Sequence, residues 1–407
     1  MSVLYITQNG ITDHIGRSQV APYVLALAKR GFGIHVLSAE KPGQEPLIEN
    51  YQKAFRDAGV RWTRIPYRRR PPVLGQLITQ AEMERAARRI VKTESIRIVH
   101  CRSFPPALIG YRLHRCFGTK YVFDFRDFYA DGGLDKARGL SRLFYRYFKR
   151  MEGPMIRAAG GIVCLTHKAQ AVLTERHLAD LPGSSRRFMV IPCCADFEHF
   201  NPDCVTPVQQ SAARERAGLV EGDFVLLYLG SLGPDYLLDE MIALFRQLRV
   251  RRPDARFLFV CNNGRELIEE TCGRQGVDMS AVRIVAADRD EIPAFIMLAE
   301  LSVIFIRPVV AKAGCSPTKL AELLACNVPV IANAGVGDLD QILSIAVNGS
   351  VAVPDFQEET LGQAIDQVLN SRAARPLDIR AASWHFGLDE GVQRYAKVYD
   401  QLLGALR

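Results

Sequence analysis

No apolar run reaches about 18 residues, the length a membrane-crossing helix needs, so no transmembrane helix is expected. The opening residues, Met1 to Ile6, lack the basic segment and following apolar stretch of a signal peptide. The ten cysteines include no C-x-x-C pair. Cys164 and Cys261 sit in apolar strand-like runs, where cysteine acts as a small hydrophobe. Cys193 and Cys194 are adjacent, an arrangement that leaves thiols unpaired. A reducing, cytoplasmic setting is therefore expected rather than a disulfide framework. No G-x-G-x-x-G follows the first strand-like run, which argues against a dinucleotide cofactor.

What the chain has is length and apolar content. Its 407 residues suffice for two domains. An apolar share of 48% with 24% charged residues is that of a globular protein. Charge is uneven: residues 1–203 carry 32 Lys and Arg against 18 Asp and Glu, while the whole chain is only +8. The basic first half suits an anionic membrane or polyanionic partner, or equally a solubilising surface. No nucleic-acid partner is expected.

In chain order, Val3 to Ile6 reads as a buried strand, followed by a polar loop to Gln19. A helix is expected over residues 18–30 and a strand over Ile34 to Ser38. Residues 40–75 read as loop-rich and include the basic run Arg68 to Arg70. A helix over 74–93 leads to strands over 96–100 and 121–125, the latter ending in Arg126 and Asp127. Charged residues at the C-terminal end of such a strand stand where open α/β sheets place ligands. Residues 134–158 form a basic amphipathic helix with Leu140, Leu143, Phe144, Tyr147, Phe148 and Met151 on one face. That face fits packing on the sheet, with the arginines left to face solvent or an anionic membrane. Strands over 161–165 and 188–191 close the first half. Residues 192–203 are Pro-rich, have lost periodicity and read as a hinge. A second strand-loop-helix series opens at Phe224 to Leu229 and runs on through strands over 257–261 and 284–286.

The most informative stretch is 305–338. An apolar strand to Ile306 is followed by Arg307, Lys312 and a helix opened by Ser316 and Pro317. Ser316 is a suitable N-cap and Pro317 suits the first helical turn. Asn327 and Pro329 mark the stop, and Val330 to Ala332 is the next strand. A helix start with unpaired N–H groups and nearby Lys312 and Lys319 is suited to a phosphate, although an ordinary βαβ unit with solvated lysines has the same spacing.

The string Ser316, Pro317, Thr318, Lys319, Leu320, Glu322, Leu324, Ala325, Pro329, Val330 and Asn333 to Asp338 closely resembles the donor-nucleotide motif of family 4 retaining glycosyltransferases. Asp13, Gly16, Ser18, Gln19, Val20, Pro22 and Tyr23 resemble the opening of a bacterial polysaccharide-type subgroup. Gly230 to Met241 is similar to another of its strings. The resemblance implies an α/β GT-B fold, with two Rossmann-like domains of parallel sheet facing a central cleft. It implies an acceptor domain over 1–191, a nucleotide-sugar domain over 204–375, and a terminal helix over 376–407 crossing back to the first. It further implies a donor site of Gly16, Ser231, Ser316, Pro317, Thr318, Lys319 and Glu322, the last holding the ribose. Arg126, Asp127, Arg307, Lys312 and Lys319 are the candidate catalytic groups, Asp127 for sugar hydroxyls or acceptor activation.

The expected function is transfer of a sugar from a nucleotide-diphosphate sugar to a saccharide or lipid-linked acceptor, without cofactor or metal. Three family charges are replaced, by Ser231, Tyr236 and Gly314. Arg307, Lys312 and Lys319 are expected to compensate. A catalytically silent nucleotide-sugar-binding subunit, a nucleotide-sugar 2-epimerase and a membrane-associated scaffold are the alternatives.

Overall fold

The computed structural model describes residues 2–404 except 69, 72, 182, 184–186, 345–348 and 375–377; of 136, 140 and 374 it describes the backbone alone. Two residues of the 68–72 stretch, Arg69 and Pro72, thus lie outside the described residues, as does the end of the expected terminal segment. The chain divides into two compact units, Met1–Pro192 with Leu388–Arg407, and Cys193–Gly387.

The first unit holds β1 (Ser2–Thr7), β2 (Gly33–Glu40), β3 (Arg61–Pro66), β4 (Ile96–Arg102), β5 (Lys120–Phe125), β6 (Gly161–Cys164) and β7 (Phe188–Val190). They form one parallel sheet in the order β3-β2-β1-β4-β5-β6-β7. A parallel sheet is covered by helices on both faces, which is why its strands read as unbroken apolar runs. The second unit holds β8 (Phe224–Leu229), β9 (Ala255–Val260), β10 (Val282–Val285), β11 (Leu301–Ile304), β12 (Val330–Asn333) and β13 (Val351–Val353). Its parallel order is β10-β9-β8-β11-β12-β13. Along β8, Val225, Leu227 and Leu229 enter one core while Phe224, Leu226 and Tyr228 enter the other, as the two-residue period of a strand requires. Each sheet starts at its middle, runs out one side, then returns to the other. Strand order therefore reverses between β1 and β4 and between β8 and β11, where such sheets hold ligands beyond their strand ends.

Several expected boundaries are corrected. Residues 40–75 are not loop-rich: they contain a helix, Glu45–Asp57, and the edge strand β3. The strand is masked in sequence because an edge is half exposed and carries Arg61 and Arg64. The helix expected to open at 18 begins at His14, breaks at Val20 and resumes as Ala21–Lys29, with Pro22 in its first turn. The basic helix is two, Tyr129–Lys136 and Leu140–Ala158, parted by Gly139 at φ +56°. The helix of the central motif starts at Thr318 rather than Pro317, and its N-cap position is Pro317 rather than Ser316. Its end agrees with expectation: Asn327 sits at φ +63° immediately past the helix.

The last helix, Leu388–Gly404, belongs to the first unit and buries Val392, Tyr395, Val398, Tyr399 and Leu402. It packs on the helix Ala21–Lys29 and on β4.

Candidate functional site

In the second unit the reversal point is built from the loop after β8 and the loop after β11. Gly230 ends β8 at φ +108°, a conformation that side chains resist, and its N–H is held by the Val260 carbonyl at 2.9 Å. The loop that follows is stitched down on two sides. Leu232 exchanges hydrogen bonds with the Asn263 side chain at 3.2 and 3.1 Å. Leu237 N–H donates to the Phe305 carbonyl at 3.1 Å, and Arg307 N–H to the Asp235 carbonyl at 2.8 Å. Asp235 also takes the Lys312 ammonium at 2.9 Å. Asn333 locks the strand end after β11, its amide pairing with both the N–H and the carbonyl of Ile306. Gly337 N–H reaches the Lys312 carbonyl at 2.9 Å, so the loop after β12 braces the loop before the helix.

Lys319 lies at the start of the helix Thr318–Ala325 and is 9% exposed. Its ammonium nitrogen stands 4.3 Å from the Tyr228 ring centre and 4.4 Å from that of Tyr236. It has no hydrogen-bond partner among the described residues. A Cβ on Gly230 would lie 3.2 Å from it, so the side chain curls back over that glycine. Burial brings its pKa down to about 7, with Glu322 pulling the other way. Glu322, on the same helix, is equally buried and its Oε1 accepts from Arg289 at 3.4 Å. Burial raises its pKa and Arg289 opposes the rise. The carboxylate's partner is thus Arg289 rather than Lys319. The result is an enclosed amine carried by the first turn of a helix, a setting for a phosphate group.

The first unit has its own arrangement at the ends of β1, β4 and β5. The loop after β1 is moored by Glu40, whose carboxylate accepts from Ile11 N–H (2.7 Å), Thr12 N–H (3.3 Å), the Thr12 hydroxyl (2.8 Å) and the Ser38 hydroxyl (2.6 Å). Gly16 packs so tightly here that a Cβ would overlap the Gly10 and Ile11 carbonyls. Its lack of a side chain therefore serves the loop's own packing. Asp124, fully buried at the end of β5, accepts from Tyr395 at 3.0 Å and from Arg126 at 3.3 Å, with His100 at 3.3 Å. Burial would raise this carboxyl, but Arg126 and His100 hold it well below the usual carboxylate range. Asp127 follows, exposed.

Of the residues singled out in the sequence, Lys319, Glu322, Thr318 and Pro317 share one helix start, with Ser231 in the facing loop. Ser231 is exposed and its carbonyl accepts from the Tyr228 hydroxyl at 2.9 Å. The Ser316 hydroxyl accepts from Cys193 N–H at 3.1 Å, so it secures the segment before the helix. Arg307 is exposed at the end of β11. Gly16, Arg126 and Asp127 belong to the first unit. Sequence reading missed Tyr228, Asp235, Arg289 and Glu40, and it placed Asn333 in the motif without its role of locking Ile306. Tyr228 looks like one more core residue of an apolar strand, and Glu40 like a loop charge.

Two doubly wound parallel sheets are the architecture of GT-B glycosyltransferases. Residues 17–194 match the glycosyl transferase 4-like domain and residues 209–383 match the glycosyl transferases group 1 domain. Together these matches span most of the chain, which belongs to this family of glycosyltransferases. Comparison with curated proteins gives no match. Among solved structures, HepE of Anabaena in complex with UDP and glucose is 15% identical, with 98% of this chain and 99% of that one covered and a TM-score of 0.69. Sucrose-phosphate synthase from Thermosynechococcus elongatus is 16% identical, with 99% of each chain covered and a TM-score of 0.72. WaaG, a glycosyltransferase involved in lipopolysaccharide biosynthesis, is 16% identical, covering 100% of this chain and 98% of its own at a TM-score of 0.60. At these identities the likeness is one of fold.

Proposed function

We propose that the chain is a retaining glycosyltransferase that moves a sugar from a nucleotide-diphosphate sugar to a saccharide or lipid-linked acceptor in polysaccharide or glycolipid assembly. The observation that carries this reading is Lys319, an enclosed amine with no hydrogen-bond partner among the described residues, at a helix start on the reversal point of the second sheet. HepE with bound UDP supports a uridine nucleotide, and WaaG supports a glycolipid context. As the bond to the anomeric carbon breaks, negative charge grows on the departing diphosphate. Lys319, the helix N–H groups and Arg307 stabilise that charge more in the transition state than in the ground state. No metal is invoked for this step. Glu322 takes the ribose hydroxyls, and Asp127 serves the acceptor.

The exposed face of Leu140–Ala158 supports residence on the cytoplasmic surface of an anionic membrane. Leu143 and Tyr147 are 61% and 43% exposed. They stand beside exposed Arg142, Arg146 and Arg150, the pairing of apolar and basic groups that suits a headgroup layer. Among the described residues no helix is long and apolar enough to cross a membrane.

A catalytically silent subunit is the second reading, favoured by Asp235, which occupies the Lys312 ammonium. A thermal-shift panel of UDP, GDP, ADP, CMP and dTDP tests the first. A nucleotide at 100 times its dissociation constant adds about 2.7 kcal/mol to the folded state. One nucleotide should stabilise the wild type and leave Lys319→Ala unshifted. Absence of any shift in folded protein removes the donor-site reading. A shift without turnover of any sugar nucleotide favours the silent subunit.

A further inference from the structure

We infer that Lys319 receives a nucleoside diphosphate as a neutral amine and holds it as an ammonium, so that nucleotide binding draws a proton from solution. This rests on the donor-site reading above and adds a pH-dependent coupling to it.

An ammonium carries three N–H donors and no acceptor. At Lys319 none of them has an acceptor among the described residues, and the nitrogen is enclosed by the Tyr228 and Tyr236 rings. Water is largely kept out, since the residue is 9% exposed. Ring faces return part of the lost hydration of a cation, but they do not replace hydrogen-bond acceptors.

The groups that bear on the nitrogen come from each neighbouring element. β8 supplies Tyr228, the loop after it Tyr236, and the end of β9 Cys261; the loop before the helix supplies Cys315, and its own helix Glu322. Burial pushes Tyr228, Tyr236 and Cys261 upward, so these three are neutral near pH 7. Glu322 is drawn to Arg289, which divides its influence. These surroundings thus offer a cation little compensation, and the Lys319 pKa of about 7 agrees with that arrangement.

A diphosphate changes the balance at once. It brings acceptor oxygens and negative charge into a site of low polarity, which favours the ammonium strongly. The proton that completes it comes from solvent. No covalent step is involved.

Calorimetric titration with UDP at about pH 8, in buffers of differing ionisation heat, reads the coupling directly. The measured enthalpy should change linearly with buffer ionisation heat, with a slope near one proton taken up, and the slope should fade by about pH 6, where the amine is already charged. In Lys319→Arg whatever UDP binding remains should carry no slope, because a guanidinium does not titrate. UDP binding by the wild type with zero slope across this range overturns the inference and leaves the donor site standing. So does an Arg variant that binds with the wild-type slope. If UDP and the other four nucleotides all fail to bind folded wild type, the donor-site reading falls and takes the inference with it. Should Lys319→Arg not fold, the wild-type series against pH decides alone.

Discussion

Asp124 is the residue on which the first unit's polar centre turns. It is wholly buried and is shared by Arg126, Tyr395 and His100, and the imidazole of His100 also meets the Tyr399 hydroxyl at 2.6 Å. Removing one partner of a buried pair strands the other, so Asp124→Ala should cost about 3–5 kcal/mol, read from the urea midpoint. The pH sign follows from the same atoms. Asp124 is held low in the fold, so its contribution is full above the unfolded carboxyl pKa of about 4 and is lost as pH falls through the folded value. Burial also lowers His100, whose contribution begins to fade below about pH 6.5. Acid unfolding should therefore begin earlier in wild type than in a His100→Phe variant that still folds. Lys319 has the same sign in a higher window. Its folded pKa of about 7 lies below its ordinary 10.5, so the unfolded chain holds more protons between these values and stability rises with pH across that window. Lys319→Met should raise Tm most below about pH 7, with the gain shrinking as pH approaches the ordinary lysine value.

Among elements, the helix Leu140–Ala158 separates what the sequence disclosed from what it hid. Its period was plain, and Phe148 is buried as expected. The packed face, however, runs through Phe148, Glu152, Met155 and Ile156, leaving Leu143 and Tyr147 outside. Glu152 is drawn inward by Lys149, three residues before it, at 2.9 Å and by His177 at 2.7 Å, a partner that no spacing rule announces. Leu143→Glu with Tyr147→Glu should abolish sedimentation with vesicles containing anionic lipid while shifting stability by less than about 0.5 kcal/mol. The central motif shows the opposite balance. Its strand, helix and Asn327 stop were readable because Pro, Asn and an apolar period act locally. The role of Ser316 was not, because Cys193 N–H reaches it from a segment far away in sequence. The edge strand β3 and the helix before it were hidden for a related reason: partial exposure blurs the apolar pattern on which such readings depend.

At the scale of the whole molecule the two units differ in kind. Cys193–Gly387 is one continuous stretch, with its own two-sided core and the entire Lys319 pocket. Produced alone, this stretch should fold in one cooperative transition and retain the nucleotide thermal shift of the full chain. A domain with its own core could in principle fold alone. The first unit is discontinuous, since its sheet is finished by the final helix. A chain ending at Gly387 should expose the surfaces around His100 and Asp124, read as increased binding of a hydrophobic dye and faster proteolysis of β4 and β5. The fold of both sheets was legible from the duplicated strand-loop-helix series. The split into continuous and discontinuous units is a property of packing that local sequence does not carry.

That last helix sets an order of events during synthesis. The unit made first leaves the ribosome without Tyr395 and Tyr399, the groups that satisfy Asp124 and His100 at its centre. Those partners arrive only with Leu388–Arg407. The second unit, begun later, has every contact it needs while its predecessor still waits. An early stop codon ahead of Tyr395 therefore damages the oldest part of the protein, leaving a finished second unit attached to an unfinished half that cellular proteases can recognise.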